Sequence, residues 1–127
     1  MTFRPKVLAW LAASSLVLVG SVATAASDPV IDQKAGSLGR VIGIRIVTPG
    51  SRDHASYHGF VRTKPPLGDP ETYYWGGSSC PAQKLTEAQV GVLVDALRDH
   101  QQLQVRPYYT LGEAADRCLM AFDLVAG

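Results

Sequence analysis

Three groups of side chains in this sequence have types and spacing that could do chemistry. His54 and His58 lie four residues apart, with Asp53 beside the first. On a helix that spacing sets two imidazoles on one face for an ion such as zinc, with a carboxylate for general acid-base work. Gly50, Ser51 and Gly59 flank the pair, however, so the segment reads as loop entering strand. Four residues of strand span about 13 Å, too far for one ion. The run Trp75-Gly76-Gly77-Ser78-Ser79-Cys80-Pro81 sets a serine directly after two glycines. It lacks the second glycine of a serine-nucleophile elbow, and reads as a tight turn feeding a helix. The third group is aromatic: Tyr73, Tyr74 and Trp75 in succession, then Arg106 and Tyr108 further on. Neighbours on a strand face opposite ways, so Tyr73 and Trp75 share one side and Tyr74 takes the other. At least one of them must then approach the surface, where tyrosine and tryptophan anchor interfaces. Arg106 falls on the side of Tyr108 and completes a polar-aromatic pair. Asp95 and Asp99 fall on a solvated helix face, and no catalytic set, metal-ligand set or cofactor-binding pattern emerges.

The elements that must position these residues are short. Arg40 to Thr48 alternates, with Ile42, Ile44 and Ile46 on one side of a half-buried strand. Pro49-Gly50 ends it. A second strand is expected over Tyr57–Thr63 and a third over Glu71–Trp75, separated by a loop with three prolines. The helix carries the clearest signature. Thr86 and Gln89 form a capping box, Leu85 and Val90 a hydrophobic staple, and Val90, Leu93, Val94 and Leu97 one apolar stripe. It should end near His100 or Gln101. Two further strands follow, Leu103–Thr110 and Arg117–Val125, and Pro107 implies an edge or a bulge in the first of them. In the last strand, Cys118, Met120, Phe122 and Leu124 share the expected core face.

Composition bounds the setting. Residues 1–25 read as a secretory signal peptide: Arg4 and Lys6, an uncharged apolar stretch from Val7 to Val22, then small residues at Ala23 and Ala25. Serines and Gly20 dilute the stretch, which favours cleavage over a membrane anchor. Residues 26–38 read as a flexible lead-in and residues 39–127 as one domain. After cleavage ten Lys/Arg face eleven Asp/Glu. That near-neutral balance argues against nucleic acid and against electrostatic membrane binding. Both cysteines, Cys80 and Cys118, lie in the exported part, and an even pair in an oxidising compartment reads as a disulfide. The expected location is the periplasm or the outside of a bacterial cell.

The resulting fold class is mainly β with one helix, in the order β-β-β-α-β-β, which is that of a five-stranded OB-like barrel. This order, the positions of Cys80 and Cys118 and the run Leu93-Val94-x-Ala96-Leu97 resemble the pentamer-forming B subunits of bacterial AB5 toxins, the subtilase-cytotoxin type in particular. The layout also resembles small exported bacterial proteins. The toxin resemblance implies binding to host glycans, but no sugar-binding motif can be transferred residue by residue. The sequence therefore leads to an exported, non-enzymatic binding module. Its partner would be a protein or glycan surface, a homo-oligomer would fit, and Tyr73, Tyr74, Trp75, Arg106 and Tyr108 are the candidate contacts. The alternative is a small periplasmic hydrolase or metal-dependent enzyme working through His54 and His58. That reading requires their rings within about 5 Å.

Overall fold

Six strands and one α-helix make up the computed structural model, which describes residues 32–127. The expected signal peptide at 1–25 and residues 26–31 of the expected lead-in lie outside the described residues. The strands are β1 (Lys34–Ala35), β2 (Arg40–Ile46), β3 (Gly59–Lys64), β4 (Glu71–Trp75), β5 (Leu103–Leu111) and β6 (Arg117–Ala126). The helix, α1, spans Glu87–Arg98, and a 3-10 helix covers Arg52–Ala55. The order across the sheet is β1-β5-β6-β4-β3-β2. All pairs are antiparallel except β4 with β6. Among the described residues no helix is long and apolar enough to cross a membrane.

This mixed sheet is open, which corrects the expected five-stranded barrel. The cause lies in the N-terminal stretch. Lys34–Ala35 of the lead-in pair with Tyr109 and Tyr108, the chain breaks at Gly36–Gly39, and β2 then pairs with β3. The residue before β2 is connected to β5 by one bridge, in which Gly39 and Val105 exchange backbone hydrogen bonds of 3.0 and 2.8 Å. Gly39 is required there, because a Cβ would come within 2.8 Å of the Lys64 backbone.

One face of the sheet carries the core: Val41, Val61, Tyr73, Trp75, Val105 and Leu119, closed by Leu93 and Ala96 of α1. The helix forms as its sequence dictates. Thr86 Oγ1 accepts from the Gln89 N–H and the Gln89 side chain accepts from the Thr86 N–H, satisfying two otherwise orphaned donors. It ends at Arg98, two residues before His100.

Two bulges overturn the alternation expected at either side of the sheet. Ile42 is an extra residue in β2, so Val41 and Ile44 face the core while Ile42 and Ile46 are exposed. Met120 is extra in β6, so Leu119 and Phe122 pack inward and Cys118 points to the other face. One inserted residue moves every later side chain to the opposite side. There Cys118 is disulfide-bonded to Cys80, which lies beyond the turn that ends β4. The bond is compatible with an oxidising, exported compartment.

Candidate functional site

β4 and β6 run side by side but share a single register pair, Tyr74 with Cys118. β4 begins directly after Pro70 and ends at Gly76 and Gly77, whose φ of +77° and +67° favour glycine and where a Cβ would run into His58 and the Ser56 backbone. β6 starts only after the hairpin turn 112–116. The strands therefore part ahead of the shared pair, and the splay leaves a crevice. One depression of about 450 Å³ is lined by Thr72, Tyr74, Tyr109, Leu111, Asp116 and Arg117. An adjoining one of about 350 Å³ lies under the proline-rich loop, between Ser37, Asp69, Glu71 and Arg117. Arg117 lines both.

Arg117 sits on aromatic faces. Its guanidinium carbon is 5.8 Å from the centroid of Tyr73 and 5.6 Å from that of Tyr109, within cation–π range. Its Nη2 stands 3.8 Å from Glu71 Oε2, an ion pair too long for a hydrogen bond. Glu71 is thus a largely buried carboxylate, and its Oε1 has no hydrogen-bond partner of good geometry, although the Tyr73 hydroxyl is its neighbour. The hydroxyls of Tyr73 and Thr63 are unpaired too, and these three are all such side-chain atoms among the described residues. They cluster: Thr63 is the register partner of Glu71, and Tyr73 follows on the same face. Burial above all, then the Glu71 carboxylate, push the Tyr73 phenol above its usual pKa of 10, while Arg117 pulls the other way. Buried polar groups are normally satisfied, so three orphans at one end of the core mark a place built for more than packing.

Tyr74 connects the crevice to the sheet face away from the helix. Its ring meets Tyr57 at 5.3 Å and Phe60 at 5.6 Å, both edge-on. Arg45 lies 5.9 Å over Tyr57 and forms a 2.9 Å ion pair with Asp53. On β5 and β6, Tyr108 donates a 2.7 Å hydrogen bond to Asp123, the register partner of Arg106. That bond, more than burial, raises the Tyr108 phenol above its usual pKa.

Of the five aromatic and arginine residues singled out by sequence, Tyr73 and Trp75 are core residues, 0% and 3% exposed, and have no surface to offer a ligand. Tyr74 and Tyr108 are half-buried and Arg106 is exposed. Tyr74 falls at the crevice, while Arg106 and Tyr108 lie together on β5. Sequence reasoning missed Glu71, Tyr109 and Arg117. The sequence offers no signal for Arg117, because the alternation that puts Cys118 inward puts Arg117 outward, and only the bulge at Met120 reverses this.

The histidines correct another expectation. The 3-10 helix at Arg52–Ala55 folds the segment back, and the rings of His54 and His58 stack with centroids 4.0 Å apart and planes 15° apart. Ring lone pairs lie in the ring plane, so parallel stacked rings do not converge on one ion. Asp53 is held by Arg45, and no group of three metal-ligating side chains occurs among the described residues. Burial first, then repulsion by His54 and Lys84, lower the His58 pKa. The Gly76–Cys80 turn is bound by the same segment: Ser78 and Ser79 donate backbone hydrogen bonds to Ala55 and Ser56. Asp95 is exposed and lies 3.7 Å from Arg98.

Comparison of the chain with protein-family models, curated proteins and solved structures finds no match.

Proposed function

We propose that the protein is an exported, non-enzymatic binding module that takes a glycan into the crevice between β4 and β6. The observation that carries this reading is one depression with aromatic walls, Tyr74 and Tyr109, and the Arg117 guanidinium, which also reaches the adjoining depression and stands 3.8 Å from Glu71 there. A sugar ring presents a C–H face that packs on an aromatic ring. It also presents hydroxyls that donate to a carboxylate and accept from a guanidinium. A protein partner would call for a broader, drier surface than this polar crevice.

If β1 and β2 are counted as one interrupted strand, the sheet order is that of an OB fold, and the Gly39–Val105 bridge supports that view. OB folds bind oligosaccharides on their second and third strands. Their counterparts here, β3 and β4, carry Phe60, Thr72 and Tyr74. The resemblance to AB5 toxin B subunits agrees with a glycan ligand, and the disulfide with export.

The test is a glycan-array screen with the purified protein, followed by calorimetric titration of any hit against Tyr74→Ala and Arg117→Met. Each variant should weaken binding about tenfold or more, the loss of one good polar or stacking contact. An array without hits, or a hit whose affinity neither variant changes, sinks the proposal.

A further inference from the structure

Among the described residues the C-terminal half of β6 presents the least protected strand edge. β6 pairs with β5 from Arg117 to Ala126 on one side. On its other side it has the single pair Tyr74–Cys118. Beyond Cys118, no backbone group of β6 finds a partner on that side among the described residues. Half the N–H and C=O groups of Met120–Ala126 therefore point outward from the sheet. Such groups match another extended strand.

The other two edges carry the devices that discourage strand addition. β1 has two residues, and β2 has a bulge at Ile42 and charges at Arg40 and Arg45. β6 has no proline, and its bulge lies at the start of the open stretch. Its only charge there, Asp123, is already bonded to Tyr108. Leu124 and Val125 are 42% and 38% exposed. As neighbours on a strand they offer apolar surface on both faces of the sheet.

We infer that this edge is a self-association surface, at which a second copy of the chain adds its own β6 antiparallel across a twofold axis near Leu124. The sequence is self-complementary in that register. Asp123 would lie opposite Val125, Phe122 opposite Ala126 and Ala121 opposite Gly127, so no like charges meet and apolar residues pair across the axis. A twofold contact uses the same patch on both copies and closes on itself, which gives a dimer and no filament. Seven residues of strand bury less surface than a permanent interface, so the dimer is reversible and concentration-dependent. The dimer does not depend on the ligand crevice, which lies beyond the other end of the open stretch.

The experiment is sedimentation velocity on the purified protein over a hundredfold concentration range, together with hydrogen exchange at both extremes. A monomer–dimer equilibrium is expected, with amides in Met120–Ala126 slowing as concentration rises and no comparable change in β2. Val125→Asp, which places a carboxylate opposite Asp123 of the second copy on both sides of the axis, should weaken the dimer at least about tenfold. Its circular dichroism and melting curve serve as the check that it folds, and Val125→Thr is the milder second variant should the aspartate fail. A protein that stays monomeric throughout, a larger ring, or a dimer with unchanged exchange in β6 overturns the inference.

Discussion

Replacing Tyr73 by phenylalanine should make this protein more stable, although it deletes a polar group from a crowded site. Tyr73 is fully buried, and its hydroxyl has no hydrogen-bond partner of acceptable distance and angle. A buried donor left unsatisfied costs about 1–3 kcal/mol of desolvation. Phenylalanine keeps the ring, and with it the contact to Tyr109 at 5.6 Å and the guanidinium of Arg117. The loss on the other side is small. If the space of the missing oxygen, on the order of 10–15 Å³, stays empty, the cost at ~24 cal/mol per Å³ is roughly 0.3 kcal/mol. The net expectation is a gain of about 1 kcal/mol, or a rise in Tm of about 4–8 °C for a domain of this size. Urea denaturation should show a higher midpoint with unchanged slope, since the surface exposed on unfolding is the same. Tyr109→Phe is the control, because its hydroxyl is not among the buried unpaired atoms, and it should move stability by less than about 0.5 kcal/mol. A Tyr73→Phe variant destabilised by 1 kcal/mol or more, to quote an approximate threshold, would refute the reasoning, because the hydroxyl would then have a real partner.

Other consequences follow from single features. Ala115 holds φ at 62° in the turn between β5 and β6, a conformation that costs a residue with a Cβ about 1–2 kcal/mol. Ala115→Gly should therefore raise stability by about 1 kcal/mol in a thermal melt, and a decrease would mean the turn gains something from the methyl group. Removing the disulfide with Cys80→Ser and Cys118→Ser should cost about 4 kcal/mol, from a separation of 38 residues and the chain-entropy model. A loss below about 1 kcal/mol would show that the reduced chain stays ordered. His58 has its folded-state pKa lowered below the usual 6.5, chiefly by burial. Between those two values the unfolded chain binds more protons, so stability should rise with pH and fall as pH drops through that window. His54→Gln removes the repulsion and should flatten the slope in melts taken at a series of pH values. An unchanged slope would put the effect elsewhere.

Much of the fold is legible in local sequence because its causes are local. The capping box at Thr86 and Gln89 needs only four residues, and the helix stripe repeats over three turns. The disulfide follows from two cysteines in one compartment. The placing of Tyr73 and Trp75 opposite Tyr74 follows from strand geometry alone. What escapes are features created by one extra residue or by the meeting of distant segments. Nothing in the run Val41-Ile42-Gly43 announces that Ile42 is bulged, yet the bulge exchanges the inside and outside of β2. The same is true of Met120 in β6. The 3-10 helix at Arg52–Ala55 is too short to show a period, so the stacking of His54 on His58 is invisible to spacing arguments. The crevice is less legible still, because it depends on how far two parallel strands separated by over forty residues stay together. Arg117 gives no clue either, since the expected core face of Cys118, Met120, Phe122 and Leu124 leaves it on the outward side.

The central claim is that the ligand site lies where β4 and β6 part. An NMR titration of isotope-labelled protein with a glycan identified on the array tests it most directly. Shift changes should concentrate at Glu71–Tyr74, Tyr109 and Asp116–Cys118, and should vanish in Arg117→Met. Changes centred on His54 and His58, or on the exposed face of α1, with the crevice silent, would contradict the account.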